Sequence, residues 1–224
     1  MSRNSLFDRV AADYDSWYRS ELGQAVDQVE REGIDNAFTP PGSNILEVGC
    51  GTGNYTLSLA GRGYILSALD VSGQMLAVAR AKAEEAGRDV NWIQEDVRKV
   101  LPKLGEYHGI LSVTAFEFIH KPQEVLADLY KHLFPGGCLV IGIIAANSPW
   151  SDLYRQAAAD NPESVFAQAS FYSEADIQSW DVGASPEISK ALYFPPTVSG
   201  LTEALKLERA QMGAPGFLVA KWVR

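Results

Sequence analysis

Cysteine is scarce in this chain: two in 224 residues, Cys50 and Cys138, and neither belongs to a Cys-x-x-Cys pair. That excludes a disulfide framework and a cysteine zinc site, and it suits a reducing cytoplasm. Both cysteines read as small buried residues rather than nucleophiles. Histidine is also sparse, and His108 and His132 have no acidic or histidine neighbour at metal-ligand spacing, so no metal site is expected. Positive charge is in deficit. Nineteen Lys and Arg against 28 Asp and Glu leave a formal net charge of -9. An acidic surface repels phosphate backbones, which argues against nucleic acid as a partner. Long hydrophobic runs are missing too. The longest, Cys138 to Ala146, is far too short to span a bilayer, and Met1 to Arg9 holds no apolar signal-peptide core. There is no internal repeat and no low-complexity segment. What remains is a globular chain, 46% hydrophobic and 21% charged, of a size for one α/β domain over residues 1–224.

The richest stretch is Glu47-Val48-Gly49-Cys50-Gly51-Thr52-Gly53, with an apolar run (Ile45 to Val48) before it and a helix-period pattern after it. Strand, glycine turn and helix together place backbone N–H groups and a positive helix end beside a ligand. Glycine accepts positive φ and lets the backbone approach closely. A dinucleotide fingerprint wants its third glycine at position 54, where this chain has Asn54. The loop therefore suits a nucleoside-type cofactor better than a pyrophosphate bridge.

Apolar periodicity predicts helix over residues 4–38, with one break near Gly23, and a turn cluster at Thr39-Pro40-Pro41-Gly42-Ser43. Residues 1–43 form an N-terminal arm, either packed on the sheet or closing over a pocket as a lid. Residues 44–146 form the core, which alternates between strand and helix. Strands are expected at Asn44–Val48, Gly63–Asp70, Val90–Gln94, Tyr107–Val113 and Cys138–Ile144. Helices are expected from the glycine turn to about Gly61, at Ser72–Ala86 behind a Ser72 cap, and at Gln123–Leu133, closed by Phe134-Pro135-Gly136-Gly137. Residues 147–224 read as an acceptor-side insert and closing strands. Here Ser173 caps a short helix to Ser179 with Asp176 three residues on, Glu187–Phe194 and Gly216–Val223 are strands, and Leu201–Arg209 is a helix. The whole predicts a Rossmann-like, mostly parallel seven-stranded sheet with helices on both faces and an N-terminal helical arm.

Ligands of open parallel sheets sit at the carboxyl ends of the strands. Asp70 ends the second strand, 23 residues after Glu47, a distance from which a carboxylate reaches ribose hydroxyls. Asp96 ends the third and can accept from an exocyclic amine such as that of adenine. The alternative for either acid is a solvated or helix-capping carboxylate. With Leu69-Asp70-Val71-Ser72-Gly73-Gln74-Met75-Leu76, Gln94-Glu95-Asp96-Val97, Leu133 to Val140 and the opening Phe7-Asp8-x-x-Ala11-x-x-Tyr14-Asp15, the chain resembles the class I S-adenosylmethionine-dependent methyltransferases. It is most similar to the small-molecule group with a ubiquinone/menaquinone-biosynthesis type of core. The resemblance covers about residues 5–145.

The resemblance implies S-adenosyl-L-methionine as cofactor and a role for each matching position. Gly49, Cys50, Gly51 and Gly53 would lie in the turn against its methionine part and sugar, and Glu47 would orient its amino group. Asp70 would hold the ribose. Val71 and Met75 would pack on the adenine, whose edge Asp96 and the Val97 amide would read. Thr114 would close over the methionine portion, and Tyr14 would reach its carboxylate from the arm. Base-methylating enzymes often carry an Asn/Asp-Pro-Pro-aromatic turn after the fourth strand. This chain has Ser112-Val113-Thr114-Ala115-Phe116 there, which favours a small-molecule methyl acceptor.

Displacement at a sulfonium methyl needs alignment above all, and a base only where the acceptor must lose a proton. Glu117, His120 and Tyr154 are the candidate bases. The aromatic cluster from Trp150 to Trp180, with Tyr193 and Phe194, forms either a wall of the acceptor pocket or a second small core. The chain is expected to act as a cytoplasmic monomer or homodimer. Two other readings remain at this point: a non-catalytic cofactor-binding regulator, and a nicotinamide-dependent oxidoreductase.

Overall fold

A computed structural model describes residues 4–224, and side chains from Leu6 onward. The arm opens with α1 (Asn4–Asp8) and a 3-10 turn (Tyr14–Arg19), then α2 (Glu21–Ala37). The break in the arm is therefore longer and earlier than expected: α-helix stops at Asp8 and resumes only at Glu21, ahead of Gly23. Ser20 caps α2 by accepting from the Gly23 amide at 2.9 Å. Gly23 sits inside α2, where any Cβ would overlap the Trp17 carbonyl, so the glycine marks a close approach rather than an interruption.

The core follows with β1 (Asn44–Val48), α3 (Asn54–Gly61), β2 (Ile65–Asp70), α4 (Gly73–Glu85), β3 (Asn91–Gln94), the short α5 (Val97–Val100), β4 (Tyr107–Val113), α6 (Pro122–Lys131) and β5 (Leu133–Ile144). Then come α7 (Pro149–Asp160), α8 (Glu174–Gln178), β6 (Glu187–Ala191), α9 (Leu201–Ala210) and β7 (Phe217–Val223). The sheet has the order β3-β2-β1-β4-β5-β7-β6, with β7 antiparallel to both neighbours and the other pairs parallel. This is the expected seven-stranded, mostly parallel architecture. β7 shows why both faces are covered: Phe217 and Val219 pack on the side of α2, while Leu218, Ala220 and Trp222 pack with α6 residues on the other.

Four further expectations change. The strand over 133–144 takes in Phe134 to Gly137, which the sequence assigns to a closing turn. Tyr107 pairs with Leu133 and Gly109 with Cys138, so these residues bulge out of the ladder. The bulge is tied down by the chain end, with the Gly136 amide donating to the Arg224 carbonyl and the Arg224 amide to that of Gly137. β2 starts at Ile65 because Gly63 takes a positive φ in the turn before it. β6 stops at Ala191, since Leu192 enters the left-handed region. α7 lies where the sequence shows weak periodicity. Ser148 caps it and Pro149 opens it, a local signal in plain view. Among the described residues no helix is long and apolar enough to cross a membrane.

Candidate functional site

Strand order reverses between β1 and β4, and the carboxyl ends there open on a cleft of about 1270 Å³, part of it open to solvent. The glycine turn after β1 forms its floor. Gly49, Gly51 and Gly53 all have positive φ. Their amides are committed inside the protein: Gly49 and Cys50 donate to the Leu69 carbonyl, Gly51 to Asp70 Oδ2 at 2.8 Å, and Gly53 to the Cys50 carbonyl. Backbone N–H groups at these positions thus lie beside the cleft already bonded within the protein. The glycines supply space and curvature rather than donors. A Cβ on Gly51 would meet nothing within 4 Å, whereas one on Gly49 would overlap Ala115 after β4. Gly53 faces away from the cleft, against Ala79 of α4.

The other residues singled out for the cofactor, Tyr14, Glu47, Gly49, Cys50, Gly51, Asp70, Val71, Met75, Asp96, Val97 and Thr114, all line the cleft. Asp70 is buried and accepts from the Gly51 and Ser72 amides, one on each oxygen. Burial raises its proton affinity and these amides oppose that. Glu47 is buried with the Thr56 hydroxyl donating to it, and burial pushes its carboxyl up to about 8. Asp96 caps α5 through the Arg98 amide and pairs with the Arg98 guanidinium, which holds it below the usual carboxylate range. The helix-capping reading of Asp96 is thus present in the structure while the residue still lines the cleft. Thr114 follows β4 at φ +48, an uncommon conformation for a β-branched residue, with its amide bound to the Gly142 carbonyl.

Of the candidate bases, His120 stands exposed at the rim of the cleft. Glu117 and Tyr154 do not form the wall. Glu117 is buried behind it, its Oε1 accepting from the Ile144 amide at 2.9 Å. Tyr154 stacks on Phe166 at 4.2 Å and lies near Phe171. Much of the aromatic cluster is core: Trp150 donates to the Phe194 carbonyl and both are buried, as is Trp180 beside Phe116. From that region Val165 and Gln168 reach the cleft.

Sequence reasoning assigned no role to Asp8 and Asp15 of the arm. Asp8 accepts from the Ser72 hydroxyl at 2.6 Å and the Gln74 amide at 3.2 Å. Asp15 accepts from Thr52 at 2.7 Å and Asn54 at 3.2 Å and pairs with Lys82 at 2.9 Å. Against burial, Lys82 and Thr52 hold its carboxyl below the usual range. The signal was the recurrence of Asp after an aromatic, Phe7-Asp8 and Tyr14-Asp15.

Three buried carboxyls give a prediction. Burial pushes Glu30 and Glu47 up to about 8 and Glu117 up to about 7, against 4.5 in an exposed chain. Between those values the folded protein keeps protons that the unfolded chain releases, so stability falls as pH rises. Denaturant unfolding of the ligand-free protein is expected to lose a few kcal/mol from pH 5 to pH 8. Glu117→Gln should flatten the decline, and a stability that rises over this range would remove the assignment.

Residues 45–137 match a family described as a methyltransferase domain. The chain is 28% identical over 179 residues to an uncharacterized protein of Mycobacterium tuberculosis, covering 80% of this chain and 59% of that one. It thus spans about three-fifths of that relative's length. It is 26% identical over 153 residues to the ubiquinone biosynthesis O-methyltransferase of Dechloromonas aromatica, 66% of each chain. Among solved structures, a methyltransferase of Thermotoga maritima named as a possible histamine N-methyltransferase aligns with a TM-score of 0.74 at 19% identity, over 98% of both chains. Magnesium protoporphyrin IX methyltransferase of Synechocystis, with S-adenosylhomocysteine bound, aligns at 0.66 and 17% identity, over 99% of this chain and 97% of that one. At these identities the structural likeness establishes a shared fold.

Proposed function

Because the chain belongs to the class I S-adenosylmethionine-dependent methyltransferases, we propose that it binds S-adenosylmethionine and methylates a small molecule by direct displacement. The carrying observation is the cleft at the β1/β4 reversal, walled by the glycine turn, Asp70 and Thr114. Its residues fit the cofactor. The turn leaves open space at Gly51, the amides of Gly49, Cys50, Gly51 and Gly53 are already spent, and the Asp70 carboxyl lies on the floor. Such a floor repels a pyrophosphate and suits a cationic nucleoside. When bound, the cofactor supplies a methyl on sulfur that is displaced as the acceptor atom bonds to carbon and the S–C electron pair stays on sulfur.

The roles that the resemblance implies are supported by the position of these residues along the cleft. Asp70 holds the ribose, Val71 and Met75 pack on the adenine, and Asp96 with Val97 reads its edge. Glu47 orients the amino group, Tyr14 meets the carboxylate, and Thr114 closes the methionine end. A net charge of -9 and the absence of an Asn/Asp-Pro-Pro-aromatic turn support a small acceptor over nucleic acid. The test is direct. Incubation with S-adenosylmethionine and a fractionated metabolite extract should release S-adenosylhomocysteine, and the protein should bind the latter but not NAD.

The arm acts as a lid in this reading. Asp15 latches it to the glycine turn and to α4 through Thr52, Asn54 and Lys82. Asp15→Ala removes these bonds, with a cost near 1.5–3 kcal/mol for hydrogen bonds to a charge. The dissociation rate of S-adenosylhomocysteine should rise about tenfold or more. An unchanged rate in stopped-flow displacement would show that the arm is only packed on the sheet.

A further inference from the structure

Asp96 and Arg98 both line the cleft, one on each side of Val97 in sequence. Three hydrogen bonds join them. Asp96 Oδ1 accepts from the Arg98 amide at 3.0 Å and from Arg98 Nε at 2.9 Å, and Oδ2 accepts from Nη2 of the same guanidinium. The two side-chain bonds form the fork by which arginine fixes the plane of a carboxylate. The amide bond ties that plane to the backbone at the start of α5. Exposed ion pairs contribute little to stability as a rule, and Arg98 keeps 45% of its side-chain surface open. The pair therefore matters for the geometry it gives Asp96 more than for holding the fold.

An ionised carboxylate offers about four acceptor positions, two on each oxygen. Arg98 takes three of them, both on Oδ1 and one on Oδ2. The position left on Oδ2 receives a single N–H or O–H donor. A vicinal diol needs two such positions, and a carbonyl or phosphate oxygen would be repelled. One exocyclic amine on a base meets the requirement.

The neighbouring charges are already paired. Lys99 meets Glu95 at 3.0 Å, and Glu95 accepts from the Asp96 amide at 2.9 Å. Arg98 also holds the Asp96 carboxyl below the usual range, so it stays an acceptor.

We propose that Arg98 is a positioning residue for base recognition: its fork sets the plane of the Asp96 carboxylate and leaves one acceptor position, so the site selects a purine that carries a 6-amino group. This rests on reading the cleft as an S-adenosylmethionine site. Arg98 acts through Asp96 rather than on the ligand. Without the fork the carboxylate turns about its last bond, and ligand binding must then order it.

The experiment is calorimetric titration with two ligands. One is S-adenosylhomocysteine. The other is its purine riboside analogue, with hydrogen in place of the 6-amino group. The unmodified protein should bind the first about tenfold or more tighter, the effect of one hydrogen bond to a charged group. Arg98→Met removes the fork from an exposed side chain of similar length. It should weaken S-adenosylhomocysteine about fivefold or more, with the analogue within twofold. Arg98→Lys returns the charge without the fork and should leave most of the preference missing.

Equal affinity of the unmodified protein for the two ligands overturns the proposal, and that comparison needs no variant. A full preference surviving in Arg98→Met or in Arg98→Lys overturns it as well, since the fork would then be dispensable. So does an equal loss for both ligands, which marks a merely structural role. Failure of the unmodified protein to bind either ligand would instead refute the methyltransferase reading, and the base recognition with it.

Discussion

Asp70→Ala is expected to weaken S-adenosylhomocysteine binding by about a hundredfold or more, with calorimetry as the measurement. Asp70 joins two parts of the site. Its Oδ2 holds the Gly51 amide and its Oδ1 the Ser72 amide, so one side chain fixes both the glycine turn and the start of α4. Asp70 also lines the cleft, and a carboxylate can accept more than one bond at each oxygen. Alanine removes the ribose acceptor and also frees two amides from their partner. Asp70→Asn separates these effects. A neutral amide oxygen can keep one backbone bond, so folding should recover more than affinity does. Unchanged affinity in Asp70→Ala would end the ribose assignment.

Gly49→Ala should destabilise the fold by roughly 2–5 kcal/mol, combining left-handed strain with overpacking. Gly49 has φ +73, and its Cβ would overlap Ala115, where the turn after β1 meets the segment after β4. Gly51→Ala makes the contrast. Its φ is +53 with nothing near the new methyl, so stability should drop only about 1–2 kcal/mol. The methyl would enter the cleft, and S-adenosylhomocysteine affinity should fall at least tenfold. Denaturant unfolding and calorimetry on both variants separate the two glycines. Adding Ala115→Gly to Gly49→Ala should recover part of the lost stability, and no recovery would place the strain elsewhere.

Much of the fold was legible because its signals are local. The Ser173 cap with Asp176 three residues on is present as a reciprocal capping box. Ser72 caps α4 as expected, and the strand ends at Val48, Asp70 and Val113 hold. α7 escaped because its apolar residues do not repeat at one period, although Ser148-Pro149 marks its start. The Phe134 to Gly137 segment misled for a different reason. Pro and two Gly read as a turn, but a partner at the chain's far end holds them in the ladder as a bulge.

Short-range chemistry determined where the chain turns, which residues close each strand, and that a cleft would open after the first one. Periodicity, caps and glycine are properties of neighbours in sequence, so the linear order suffices to express them. Only the tertiary structure decided that the amides of Gly49, Cys50, Gly51 and Gly53 are spent inside, that Gly53 faces α4, and that Asp15 meets Lys82 across 67 residues. No local pattern encodes such pairs. They exist because helix and sheet faces must bury together, and burial carries along whatever polar groups share those faces.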